Sequence, residues 1–512
     1  MRKRICKVNG LIILLSIITL SAFAQDRTEK INELMNSYAE NLDFNGAVLV
    51  AEKGNIVYEN AFGYANREFE VPNSIDTKFR IASMSKAFTA FVIMKLVEEG
   101  KLSLEGKLSN YLDDFPKEKG DKITIHHLLS HTSGIAHYGE APDYEAWYER
   151  LTNTSEELIA YFGELDLLFE PGEKYSYSSF GYSLLAFVCE RIEGKPYNEI
   201  LKEKILDPLE MKDTKQLDNY SIDRNAADGY KWRQLSGYQK PTYVDASKLI
   251  GGGGMNSTLG DMLKWDQALY SNDLLNSDNL SMLFQPQSKI TKNISYGYGW
   301  LLRESPVAKE MINYHGGSTN GFRSLITRFP ATGYLIVIFT NSHNEAAGGD
   351  RRGLNIKTMS DEISSILFNK PYELPKKSAA NEIALIAYFS GAEEAINRYN
   401  ELKRSSYNDY YFSELEINIA AYALFDRHRR YDDALLLFEF NMKEFPKSYN
   451  VYDSLGWLYK NVGKNKLSLK YYKIGLEVYN KYPELNKRWK RDANKVPEEI
   501  AELKKLLDNQ DS

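Results

Sequence analysis

The sequence predicts an α/β domain followed by an all-α helical domain, and three observations carry that division. Up to about residue 370, short apolar runs alternate with glycine-rich turns and helical stretches. Beyond a stretch marked by two prolines, the glycines thin out and apolar residues recur at helical spacing. Within that last region a pattern returns after 34 residues, a period that helicity alone does not produce. The chain has 512 residues, enough for two or three domains that each bury a core.

The opening residues speak to location. Arg2, Lys3, Arg4 and Lys7 precede an almost wholly apolar run from Leu11 to Phe23, and Ala22-Phe23-Ala24 places small residues where a signal peptidase reads them. Residues 1–24 are therefore expected to be a signal peptide cut before Gln25, with the mature chain exported to the periplasm or secreted. The apolar run is shorter than the roughly 20 residues that span a bilayer, so no membrane span is expected after cleavage. Cys6 leaves with the signal and only Cys189 stays, inside an apolar stretch, so a core rather than disulfides must hold the fold. The 64 basic and 70 acidic residues become 60 against 70 once the four signal cations are gone. That balance argues against nucleic acid or an anionic surface as partner.

Residues 25–370 form the predicted α/β domain. It opens with a hairpin, Ala47–Ala51 and Ile56–Tyr58 around the turn Glu52-Lys53-Gly54-Asn55, and Gly333–Thr340 reads as a late strand beside it. A linker is expected over 371–380 and the helical domain over 381–512. There Ala434, Phe438 and Asn441 recur as Ser468, Tyr472 and Gly475, and Leu455-Gly456, Tyr459 and Gly463 supply small or close-packing residues. The region resembles two tetratricopeptide repeats, about 415–448 and 449–482, with a closing helix near Pro497–Leu507. The first lacks its glycine near Arg429, and the second has Asn480 where proline is usual. Two repeats bury little alone, so they are expected to pack on neighbouring helices or on the catalytic domain, and both a plain helical array and a surface for a protein partner stand as readings.

The chemistry begins at Ser83-Met84-Ser85-Lys86, the one Ser-x-x-Lys in the chain. Phe88, Val92, Ile93, Leu96 and Val97 follow on one helical face, so the helix should start close to Ser83 and set the Lys86 amine beside the Ser83 hydroxyl. A serine hydroxyl attacks only when a base takes its proton, and a buried lysine of depressed pKa can be that base. Later come Pro171-Gly172-Glu173 and Tyr175-Ser176-Tyr177-Ser178-Ser179, and later still His315-Gly316-Gly317-Ser318.

In this order the three motifs resemble the class C β-lactamase and D-alanyl-D-alanine carboxypeptidase family. The resemblance runs from about 44 to 345 and takes in Ile123–Ile135, Gly252–Thr258 and Tyr296–Trp300, the last read as the strand before the third motif. It implies an antiparallel sheet flanked by helices plus a helical subdomain. It implies Ser83 as nucleophile with Lys86 and Tyr177 as proton carriers, and the backbone NH groups of Ser83 and Ser318 as the oxyanion hole. Substrate contacts would come from Ser179, where the family usually has asparagine, and from His315, Gly316 and Gly317, where it has Lys-Thr-Gly or His-x-Gly. The implied activity is acyl transfer through a Ser-Lys-Tyr acyl-enzyme on an ester, amide, D-amino acid peptide or β-lactam. The alternative is a catalytically weak or inactive penicillin-binding-like protein that binds cell-wall peptides, or a protein partner through its helical repeats.

No cofactor is expected. His126, His127 and His131 invite a metal, but their spacing fits no familiar zinc pattern. An imidazole at 315 is mostly uncharged near neutral pH, so a preference for substrates without an obligatory carboxylate is expected. Ser277-Asp278-Asn279 spells the second motif of class A β-lactamases but comes too late in the chain for that role, and is read as a surface turn.

Overall fold

A computed structural model of the protein describes residues 25–141, 150–233, 235–343 and 354–508. The signal peptide read at 1–24 lies outside them. The chain forms two compact units. Among the described residues, the first runs to Lys231 and takes in 239–343 and 355–374, and the second gathers Trp232–Tyr238, Leu354 and everything from Pro375.

The first unit is built on an eight-stranded sheet whose paired neighbours are all antiparallel. Its strands are β1 (Gly46–Glu52), β2 (Asn55–Phe62), β3 (Ser288–Lys289), β4 (Ser295–Tyr296), β5 (Leu301–Glu304), β6 (Met311–Thr319), β7 (Phe322–Phe329) and β8 (Tyr334–Thr340), in the order β3-β4-β5-β6-β7-β8-β1-β2. The turn Lys53-Gly54 has φ of 50° and 80°, the left-handed pair that a two-residue hairpin requires. The late strand lies beside that hairpin, with Gly46 opposite Thr340 and Glu52 opposite Tyr334. β1 is buried up to its last residue and β8 throughout, which is why both read as unbroken apolar runs. The stretch Tyr296–Trp300 is not one strand: the chain turns after β4 and resumes at β5.

Residues 25–42 form helix α1, and α2 (Ser85–Glu98) is the central helix of the unit. The sequence suggested one apolar face for α2, but it is buried almost all round, Ser85, Lys86 and Thr89 included. Trp265 stacks on Phe88 with ring centroids 4.3 Å apart and meets Phe91 edge-on at 5.2 Å. Against α2 pack α4 (Ser179–Glu193) and α5 (Leu259–Ala268), α3 (Ile125–Leu129) packs on α4, α6 (Ile356–Leu367) lies on β7 and β8, and Cys189 of α4 is buried. Ser277-Asp278-Asn279 opens a short helix capped by the Asn276 side chain, instead of the surface turn expected, and Ser277 and Asp278 are exposed.

The second unit is almost wholly helical: α7 (Ala379–Ser390), α8 (Ala392–Ser405), α9 (Glu414–His428), α10 (Tyr431–Glu444), α11 (Tyr449–Asn461), α12 (Asn465–Lys481) and α13 (Val496–Asp508). Helix α7 begins inside the stretch read as linker, and Lys377–Ser378 just before it pairs in parallel with Tyr410–Tyr411. Ala434 and Phe438 of α10 are fully buried. The Ser468 hydroxyl of α12 donates to the Gly456 carbonyl of α11 at 2.8 Å. Among the described residues, no helix is long and apolar enough to cross a membrane.

Candidate active site

Ser83 does not open the helix. It lies in a 3-10 turn, Ala82–Met84, that leads into α2, and Ala82 is held at φ 47°, a left-handed conformation costly for a residue with a side chain. Two elements fix the turn. From β7 the Ser324 hydroxyl donates to the Ile81 carbonyl at 2.6 Å, and the Ser85 hydroxyl donates to the Ala82 carbonyl at 2.7 Å. β6 lies flat on the same turn, because a Cβ at Gly317 would stand 2.2 Å from the Ile81 oxygen and 2.3 Å from the Ser324 hydroxyl. Glycine is the residue that admits this approach.

One helical turn along, Lys86 is completely buried. Its Nζ donates to Ser83 Oγ at 3.3 Å, to Ser179 Oγ at 3.1 Å and to the Gly252 carbonyl. Burial pushes the Lys86 amine down to about 7, so near neutral pH much of it is uncharged. A neutral amine has two hydrogens and one lone pair. With Ser179 and Gly252 taking the hydrogens, the lone pair is left for the Ser83 hydroxyl. Gly252 reaches this position because the glycine turn presses on the start of α4, where a Cβ at 252 would lie 2.7 Å from the Ser179 oxygen.

Tyr177 comes from the segment before α4. Its phenol faces the Ser83 and Ser179 hydroxyls, and Lys86 Nζ sits 4.9 Å from its ring centroid. Burial pushes the phenol up to about 12, partly offset by the nearby Ser83 and Ser179 hydroxyls, so it remains protonated at neutral pH. Ser179 thus accepts from Lys86 and lies beside Tyr177, a position between the two that the sequence did not reveal.

His315 is only 3 % exposed, and both its nitrogens are engaged. Nδ1 lies 2.7 Å from the Gly316 carbonyl and so carries the hydrogen, while Nε2 accepts from the Tyr296 hydroxyl at 3.2 Å. Burial and then Lys86 lower its pKa to about 3, so it brings no charge to the site. Ser83, Tyr177, Ser179, His315, Gly316, Gly317 and Ser318 line one cleft of about 820 Å³, whose wall also includes Val244, Leu301, Arg323 and Lys357.

The three histidines considered for a metal are separate in role. His126 Nδ1 lies 2.7 Å from the Tyr298 hydroxyl, His127 closes a capping box with Thr124, and His131 packs against Tyr177 with ring centroids 4.3 Å apart. Sequence reasoning missed His137 altogether, although it lines the cleft.

Residues 31–358 match the Beta-lactamase family model. Penicillin-binding protein 4* of Bacillus subtilis (strain 168) is 30% identical over 395 residues, which cover 72% of this chain and 83% of that protein. The D-alanyl-D-alanine-carboxypeptidase/endopeptidase AmpH of Escherichia coli (strain K12) is 26% identical over 368 residues, covering 67% of this chain and 91% of that one. Among solved structures, the octameric penicillin-binding protein homologue from Pyrococcus abyssi superposes with a TM-score of 0.58 at 26% identity, over 70% of this chain and 81% of that one.

Proposed function

This chain belongs to the beta-lactamase family of penicillin-binding-like serine hydrolases, and from that premise we propose that it is an exported enzyme that forms an acyl-enzyme on Ser83. The observation that carries the reading is the enclosed amine of Lys86, held 3.3 Å from the Ser83 hydroxyl with its pKa lowered by burial to about 7. Lys86 takes the Ser83 proton while the oxygen attacks a carbonyl carbon. The backbone NH groups of Ser83 and Ser318 hold the oxygen that gains charge. Tyr177 gives its proton to the leaving group and is reprotonated from Lys86 through the Ser179 hydroxyl. Water then repeats the sequence on the acyl-enzyme.

The relatives named above support a D-amino acid peptide as substrate class, with esters, amides and β-lactams open to the same chemistry. Export is supported by the residues before Gln25 and by the bacterial origin of these relatives. A second reading has one observation behind it: Ser179 replaces an amide side chain with a hydroxyl already engaged by Lys86, which suits a protein that binds cell-wall peptides without turning them over. In that case the helical unit, read as two tetratricopeptide-like repeats, is the partner surface.

Intact mass after exposure to a fluorophosphonate or a penicillin separates the two. The hydrolase gains one adduct that Ser83→Ala lacks, and a wild type that stays unmodified under every condition refutes it. Tyr177→Phe keeps the nucleophile and its base, and should slow turnover by about 100-fold or more, the usual worth of a positioned proton carrier.

Because His315 is neutral and engaged, selectivity against a required carboxylate should change when it is replaced. His315→Lys is expected to raise the rate on an acyl-D-alanyl-D-alanine peptide relative to a neutral ester. An unchanged ratio would show that Arg323, Lys357 or the cleft shape sets this preference.

A further inference from the structure

We propose that His131 and His137 are positioning residues for Tyr177, each presenting Nδ1 as acceptor to one of the two consecutive backbone NH groups that follow the tyrosine, and each laying its ring against the tyrosine ring. This rests on the reading of Tyr177 as a proton carrier. The Ser178 NH donates to His131 Nδ1 and the Ser179 NH to His137 Nδ1, both at 3.2 Å. The ring centroids lie 4.3 Å and 5.8 Å from that of Tyr177. His131 holds the segment on the other side as well, since its carbonyl accepts from the Ser176 NH at 2.8 Å. Tyr177 is therefore bracketed by backbone bonds before and after it.

These donors sit at the start of α4, where the first NH groups of a helix have no partner within it. The Ser178 hydroxyl caps Gly181 at 3.1 Å, as serine commonly does at this position. The NH groups of Ser178 and Ser179 are left for the imidazoles. Acceptance at Nδ1 commits each ring to carrying its hydrogen on Nε2. A proton on Nδ1 would set two donors face to face and release the segment. Burial first and then Lys86 hold both rings below the usual histidine range, in agreement with neutral acceptors.

His131 is retained at a cost to stability. It sits at φ 58°, and its Nε2 is shielded from solvent with no hydrogen-bond partner among the described residues. Left-handed backbone and an unpartnered buried donor both destabilise the fold and persist where the surroundings impose them, most often at functional sites. Holding the tyrosine accounts for both.

The test uses the full chain and two readouts. In the ring nitrogen NMR spectrum of the seven histidines, with the two signals assigned from His131→Asn and His137→Asn, both rings should carry hydrogen on Nε2 and none on Nδ1. In kinetics on a neutral ester, His137→Leu removes the acceptor and should lower kcat by about 100-fold, the cost of a reacting group misplaced by about 1 Å, with KM little changed. His137→Asn puts an amide oxygen where Nδ1 stood and should recover most of that rate. His137 carries this comparison because its backbone is not left-handed, whereas at 131 asparagine would be favoured over leucine by conformation alone. Hydrogen on Nδ1 of either ring, an asparagine variant as slow as leucine, or a leucine variant as fast as wild type overturns the proposal. A wild type that takes up no fluorophosphonate sinks the hydrolase reading instead, and the ring spectrum then decides the clamp alone.

Discussion

Lys86→Met should abolish turnover and at the same time change how stability depends on pH. Without the amine, Ser83 loses the base proposed for it, and a fall of about 10⁴-fold is expected, the upper worth of a general base. In the wild type the rate should rise with pH through about 7, as Lys86 loses its proton. The folded pKa lies below the ordinary lysine value of 10.5, so between these limits the unfolded chain binds the extra proton and stability climbs with pH. Below about 7 both states are protonated and the penalty of a buried charge is fully present; above 10.5 both are neutral and it is gone. Methionine has no such term. Urea unfolding at pH 6 and pH 9 should therefore show the variant gaining most on the wild type at pH 6. A difference that is the same at both pH values would mean that the Lys86 pKa is not depressed.

Gly317→Ala should be the most damaging substitution of a single methyl group in the site. The new Cβ would lie 2.2 Å from a main-chain oxygen, which no rotamer change relieves. β6 must move off the turn that carries Ser83, and overpacking of this kind typically destabilises by about 1 to 3 kcal/mol. The Ser318 NH moves with the strand, and loss of one oxyanion donor costs about 10²- to 10³-fold in kcat. Denaturant midpoint and kcat should fall together, with KM the least affected quantity. Ordinary turnover in Gly317→Ala would place the oxyanion donor elsewhere.

The parts of the fold that were legible in the sequence are those where one local pattern has one structural meaning. The apolar runs Ala47–Ala51 and Gly333–Thr340 could only be buried strands, and they pair. Three short motifs in a fixed order indicated which distant segments share a cleft, and the structure lines one cleft with residues of all three. What stayed hidden depends on contacts between segments. Nothing local distinguishes a helix that begins at Ser83 from a 3-10 turn that delivers Ser83 to one, because the difference is made by β6 and β7 pressing on Ile81. The sequence offered one apolar face for α2, yet neighbouring elements cover the helix almost all round, Ser85 and Thr89 included, and burial lowers the Lys86 pKa. Ser179 looked like a weakened substrate contact, whereas its hydroxyl accepts from the Lys86 amine beside Tyr177. The bond from Ser178 to His131 spans 47 positions and leaves no periodic trace, so His131 drew attention only as a metal candidate.

The pairing of β1 with β8 also orders events in the life of the chain. The opening hairpin is the first piece of sheet to be synthesised, but its inner edge faces a strand that begins at Tyr334. Until that strand has been made, a growing polypeptide carries an apolar ribbon with an open edge, prone to joining the wrong neighbour. Completion therefore waits on a closure across most of the unit's length, the kind of long-range step that slows folding, and a product cut short just before Tyr334 would own every reactive side chain yet lack the strand that locks them in place.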